Sequence, residues 1–176
     1  MKINKFLRAA IILFILALNI GCDQVSKSVV RKDLHEGQVL YYFFNKVTLE
    51  KVENTGAFLS LGDSLGGPVH TILLVVLPLL ALGGGLIYIL YKTRIAKYKL
   101  LGIILIIGGG FGNLYDRLAH GSVTDFMHIS FFWGLETGVF NVADMSIMAG
   151  MFIILIDAFF KRKEHPEPEQ STTIES

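Results

Sequence analysis

The sequence holds one cysteine, Cys22, in 176 residues. That excludes an intrachain disulfide and any cysteine-based zinc cluster. The five histidines (His35, His70, His120, His128, His165) are scattered, with no H-E-x-x-H or comparable ligand spacing. Nothing calls for a metal or a cofactor, and no nucleic-acid partner is expected. Charge is sparse and balanced: 18% of residues are charged, for a formal net charge of +1. No internal repeat is visible, and length alone permits a single domain.

What the chain has in abundance is apolar sequence, 52% of all residues, with a mean hydropathy of +0.55. It is gathered in four runs: Ala9 to Cys22, Val69 to Tyr91, Leu100 to Tyr115 and Gly138 to Phe160. A bilayer core of about 30 Å takes about 20 helical residues. The second and fourth runs meet that length comfortably, and the first and third need their ends to reach the interface. The expected fold is an all-α polytopic membrane protein with four transmembrane helices, at about 6–22, 69–91, 98–115 and 138–160. Core helices of a soluble domain are the weaker alternative. Ten of the sixteen Lys and Arg lie at the N-terminus, in the Lys92–Lys99 loop and at Lys161-Arg162-Lys163. By the positive-inside rule both termini and that loop are cytoplasmic. One domain over 1–163 is expected, followed by a disordered cytoplasmic tail at 164–176. The segment "VLYYFFNKVTLEKVEN" reads as one or two strands, within an outer β-rich region at about 39–61. Tyr41, Tyr42, Phe43 and Phe44, with Phe131, Phe132 and Trp133, suit the aromatic belt of a surface resting on the bilayer.

Several polar residues stand where a membrane should exclude them. Asp144 lies about six residues into the fourth run, and an acid at such depth is a functional candidate by default. The plainer reading is an acid paired with a cation on a neighbouring helix. Asn141, three residues earlier, shares its helical face. Asp125, in "GSVTDF", reads alone as a loop aspartate capping a turn. Brought beside Asp144 it would form a pair that cannot easily ionise twice, the arrangement of aspartic proteases. "GGGFGNLYDR" (108–117) lacks the Lys-Ser/Thr of a phosphate loop, and its glycines suit close helix packing. Asn113 and Arg117 share one helical face there, and Asp116 can pair with Arg117 or cap the helix end. Asp23 precedes Lys27 by four residues, the favourable order for a helical ion pair, which on a surface contributes little. Ser26 beside Lys27 points elsewhere on a helix, so a Ser/Lys protease is disfavoured.

Taken in order, "DQVSK" (23–27), "NTGAF" (54–58), "GGGFGNLYDR" (108–117), "VTDF" (123–126) and "FNVAD" (140–144) resemble the lipoprotein signal peptidase family, signal peptidase II. The resemblance implies an aspartyl endopeptidase of the bacterial cytoplasmic (inner) membrane, with its active site near the outer face. Its substrates would be diacylglyceryl-prolipoproteins, cut before the lipidated cysteine. By similarity Asp125 and Asp144 are the catalytic dyad. Asn54, Gly56, Gly109, Asn113, Arg117, Asn141 and Ala143 would line or shape the site, and Asp23 and Lys27 would brace its rim. Membrane lipids and globomycin-type cyclic peptide inhibitors are the further implied partners, and a monomer is expected. The competing class is a non-enzymatic four-helix carrier or scaffold with structural buried acids. Carriers favour inverted repeats and broken helices, and neither is apparent.

"NIGCDQ" itself looks like the end of a lipoprotein signal peptide. Asn19, however, stands three before the cysteine, where such signals usually carry leucine, and the family resemblance keeps Asp23 and Lys27 in a retained first helix. Cys22 then reads as a small apolar residue near the outer interface.

Overall fold

The computed structural model describes residues 4–56 and 67–164. The expected tail after Glu164, which ends the last helix, and the end of the expected β-rich segment at 57–61 lie outside the described residues. Four helices are long and apolar enough to cross a membrane: α1 (Lys5–Asp33), α2 (Pro68–Tyr91), α3 (Lys97–His120) and α4 (Val142–Glu164). Their outward faces are oily, with Leu80 70% and Leu155 64% exposed. That is the surface a lipid-facing bundle presents and a water-soluble one does not.

Each helix boundary has a local cause. Asn4 starts α1, its side-chain oxygen accepting from the Phe6 N–H at 3.1 Å. The helix continues past the apolar run to Asp33 because Asp23, Lys27 and Arg31 recur every fourth residue, Asp23 accepting from the first turn of α4 and Lys27 and Arg31 pairing with Asp116 of α3. In α2 the chain widens to a π turn over Ile72–Val76, where the Leu77 N–H reaches back to Ile72. Pro78 follows directly and lacks the N–H that would continue an α-helical ladder. Gly121, at φ +79°, closes α3 in the left-handed conformation, its N–H bonding the Arg117 carbonyl. At the far end, the Arg8 guanidinium donates to the carbonyls of Ile89 (2.8 Å) and Lys92 (3.0 Å), tying the start of α1 to the end of α2.

α3 is the central helix: 44% of its most apolar stretch is buried, against 17%, 6% and 11% for α1, α2 and α4. The triplet Gly108-Gly109-Gly110 explains how three neighbours fit around it. Successive helical residues are about 100° apart, so each glycine faces a different helix. A β-carbon on Gly108 would strike Asn19 of α1, on Gly109 the Ala143 carbonyl of α4, and on Gly110 Leu82 of α2. Seven residues before Gly109, Gly102 meets Gly150 of α4 backbone to backbone.

At the end of the bundle where α1 and α3 finish lies a three-stranded antiparallel sheet in the order β1-β2-β3, made of β1 (Val39–Tyr42), β2 (Val47–Asn54) and β3 (Val123–Ile129). β3 pairs from Val47↔Ile129 to Asn54↔Val123, with a bulge between Leu49 and Val52 of β2. Both faces of β3 are covered. Thr124 and Phe126 turn to α1, against Arg31, Val30 and Leu34, and Asp125 turns to α4. The chain from Thr137 to Phe140 also bonds to β3 before α4 begins.

Candidate active site

α4 begins at Val142, not at the start of the apolar run, because Asn141 and Asp144 cap it reciprocally. The Asp144 N–H donates to Asn141 Oδ1 (3.0 Å) and the Asn141 N–H to Asp144 Oδ2 (3.1 Å). This is a capping box built from an asparagine and an aspartate. Between them, the Ala143 N–H, otherwise an orphan of the first turn, donates to Asp23 Oδ1 at 2.9 Å. The helix start therefore holds Asp144 by its own backbone.

Asn141 also joins the two candidate acids, donating from Nδ2 to Asp125 Oδ1 at 2.6 Å. Asn54, at the end of β2, donates to the other oxygen, Asp125 Oδ2, at 2.9 Å. Asn113 of α3 donates to Asp144 Oδ1 at 2.8 Å. Three asparagines thus aim amide N–H groups at two carboxylates, and the orientation of each amide follows from its neighbours. Asn54 Oδ1 accepts from the Gly56 N–H (3.1 Å), Asn141 Oδ1 from the Asp144 N–H, and Asn113 Oδ1 from the Lys27 ammonium (2.8 Å). Each of those partners can only donate, so each amide must turn its oxygen to the donor and its nitrogen to an acid.

Asp125 is 4% exposed. Burial pushes its carboxyl up to about 6 from the ordinary 3.8, and the nearby Asp144 charge adds to the rise. The Asn54 and Asn141 hydrogen bonds and the Lys27 charge pull the other way. Among the described residues, no cation stands within 4 Å of either acid. Arg117 is close enough to interact electrostatically with both. It is held by a 2.8 Å bond from Nη2 to the Gly56 carbonyl, while its Nε is buried without a partner among the described residues. Asn54, Gly56 and Arg117 therefore form one edge of the site, closed by the Asn54–Gly56 Asx turn.

Beneath it lies a second polar cluster. Lys27, fully buried, spends its three donors on Asp23 Oδ2 (2.9 Å), Asp116 Oδ2 (2.9 Å) and Asn113. Arg31 Nη2 lies 2.8 Å from Asp116 Oδ1, and Arg31 Nε donates to Thr124 Oγ1 at 2.8 Å. Gln24 Nε2 is shared among Asp23, Asp116 and the Gly112 carbonyl.

The bonds above bring all eleven candidate residues of the sequence analysis into one connected region, with Gly109 joining through its contact with Ala143. Two expectations change. Asp116 pairs with Lys27 and Arg31 rather than Arg117, and the Asp23–Lys27 pair is buried rather than superficial. Four residues of the region are not singled out by sequence: Gln24, Arg31, Thr124 and Glu53, whose carboxylate accepts from Thr124 and Ser122. The i, i+3, i+7 spacing of Gln24, Lys27 and Arg31 is the signal that could have found the first two. No cluster of metal-ligating side chains occurs among the described residues.

Known proteins are similar to this chain in sequence and in fold. A family model described as Signal peptidase (SPase) II matches residues 15–160. The lipoprotein signal peptidase of Streptococcus pneumoniae is 33% identical over 149 residues, covering 85% of this chain and 92% of that protein. That of Borreliella afzelii is 37% identical over 164 residues, covering 87% and 92%. A solved structure described as a bacterial membrane enzyme, obtained by the in meso method at 2.3 Å resolution, superposes with a TM-score of 0.76 at 21% identity, covering 91% of this chain and 94% of that one.

Proposed function

Because the chain belongs to the signal peptidase II family, we propose that its Asp125 and Asp144 are the catalytic pair of a membrane endopeptidase. Cleavage of signal peptides from prolipoproteins is the activity of the family and of this multi-pass bacterial membrane protein. The finer reading is that the substrate carries a diacylglyceryl group and is cut just before the modified cysteine. The observation that carries the catalytic-pair reading is the acid pair itself: two carboxylates linked through Asn141, supplied with amide donors and, among the described residues, left without a bonded cation.

The chemistry follows from that environment. Asp125, with its carboxyl raised to about 6, is the member of the pair suited to hold a proton. The ionised member takes a proton from water as it attacks the scissile carbonyl, and the protonated member polarises the carbonyl oxygen. Collapse of the resulting diol expels the amine, which takes a proton from the pair. Arg117, with its unspent Nε, is suited to a substrate backbone carbonyl.

A substrate anchored by its own helix and acyl chains arrives in the membrane plane. The reading therefore puts the site at the outer face of the cytoplasmic (inner) membrane, with both termini cytoplasmic. The enzyme works as a monomer, and globomycin-type cyclic peptides occupy the pair as substrate mimics. The test is cleavage of a diacylglyceryl-prolipoprotein by Asp125→Asn and Asp144→Asn, each first confirmed in the membrane. Either substitution is expected to lower the rate by about 10²–10⁴-fold. Near-wild-type cleavage by one of them would remove that residue from the pair.

A further inference from the structure

On the side of the bundle formed by α1 and α3, a cavity of about 500 Å³ opens near the sheet end, lined by Gln24, Ser28, Arg31, Lys32, Tyr115 and His120. Gln24, Ser28 and Arg31–Lys32 fall on one face of α1, four residues apart, and Tyr115 and His120 come from the last turns of α3. The depth of the cavity follows from the sequence. The apolar run of α1 ends at Cys22 and that of α3 at Tyr115, so its lining begins where the hydrocarbon-facing stretches stop. That is the level of lipid headgroups.

The lining carries two cations and several side-chain donors and no carboxylate. The side chains of Ser28, Lys32, Tyr115 and His120 make no hydrogen bond or ion pair to a described residue, though Tyr115 and His120 meet edge to face. Asp116, bonded to the lining residues Gln24 and Arg31, is fully buried. Its oxygens are already taken by Lys27, Arg31, Gln24 and the Thr124 N–H. Glu53 lies on the far side of Thr124, where it accepts the Thr124 and Ser122 hydroxyls. Of the four charges at the buried cluster, Asp23 and Asp116 offset Lys27 and Arg31. Lys32 at the mouth has no bonded counterion among the described residues and stands beside a hydroxyl, a phenol and an imidazole.

From this we infer that the groove binds a phosphate group at headgroup depth, the phosphodiester of an anionic membrane lipid. Lys32 and the outward edge of the Arg31 guanidinium supply charge, Ser28, Tyr115 and His120 supply hydrogen bonds, and the acyl chains run down the exposed apolar faces below. Phosphate is matched by a cluster of donors with guanidinium and ammonium groups, and each basic side chain near a charged bilayer surface contributes measurably. The inference does not depend on the catalytic reading, because none of Ser28, Lys32, Tyr115 and His120 belongs to the acid-pair site.

The test uses the full chain in nanodiscs and native mass spectrometry of the released protein. Wild type is expected to retain phosphatidylglycerol over phosphatidylcholine. Lys32→Gln is expected to weaken that retention about fivefold, and Lys32→Gln/His120→Gln to weaken it further. Both positions are exposed, and an unchanged unfolding temperature checks that the fold is kept. A second arm adds inorganic phosphate. Retention of the lipid at millimolar phosphate supports the headgroup as the ligand, whereas its displacement there overturns it in favour of a free-phosphate site. Equal retention of both lipids, or an unaltered preference in the double variant, also overturns the inference.

Discussion

Two pairs of aspartates lie within a few turns of one another in this membrane protein, and their surroundings are opposite. Asp23 and Asp116 are fully buried, and each bonds the Lys27 ammonium at 2.9 Å. Asp125 and Asp144 receive amide N–H groups from Asn54, Asn113 and Asn141 but no cation within 4 Å among the described residues. A buried carboxylate bonded to an ammonium is tied to it and acts as a fixed strut. Asp125, held by neutral donors in a buried setting, keeps its geometry while its carboxyl is raised to about 6. The two pairs meet at Ala143, whose N–H binds Asp23 and whose neighbour is Asp144. They also meet at Asn113, which accepts from Lys27 and donates to Asp144. The compensated pair holds the uncompensated one in place.

The largest effect is expected from breaking the compensated pair. Lys27→Met leaves two buried acids facing each other and should cost about 3–5 kcal/mol, read as a lower unfolding midpoint in detergent. It also frees the Asn113 amide to turn its oxygen toward Asp144, so residual turnover should fall as well. Arg117→Ala works on the other pair. It removes a charged donor to the Gly56 carbonyl, worth about 1.5–3 kcal/mol. Turnover is expected to weaken while some activity remains, and no loss at all would take Arg117 out of the site.

These effects reflect how unevenly the molecule is written in its sequence. The four spans are legible because a bilayer demands long apolar runs, and the glycine-rich stretch is legible as packing. The extension of α1 to Asp33 is not, because its last turns are stabilised by partners on α3 that are remote in sequence. Nor is β3: "GSVTDF" reads as a turn, and Asp125 sits in a strand only because both strand faces are covered. The acid pair is visible as two suspicious residues. That Asn141 links them, and that donor-only neighbours fix three amides, cannot be read from spacing.

Smaller effects sharpen the contrast between the pairs. Gly109→Ala drives a β-carbon against the Ala143 carbonyl, which must shift the start of α4. An overpacking cost of about 1–3 kcal/mol should appear in thermal unfolding, together with slower cleavage. Asn54→Ala removes a hydrogen bond that lowers the Asp125 carboxyl. The limb of the pH–rate profile that reports Asp125 should move to higher pH, with about 0.5–1.5 kcal/mol lost in transition-state stabilisation. An unmoved limb would mean that Asn54 does not act on that acid.

The direction of the stability change is fixed as well. A carboxyl raised in the folded state binds a proton on folding, so its contribution is fully present below the ordinary 3.8 and lost as pH rises through about 6. Asp125→Asn should remove that dependence.

The contrast between a charge-compensated pair and a proton-holding one rests most directly on the Asp125 carboxyl itself. Difference infrared spectroscopy of the protonated-carboxyl stretch, assigned by its loss in Asp125→Asn, should show it titrating near pH 6. A midpoint at the ordinary 3.8 would contradict the assignment of Asp125 to the uncompensated pair.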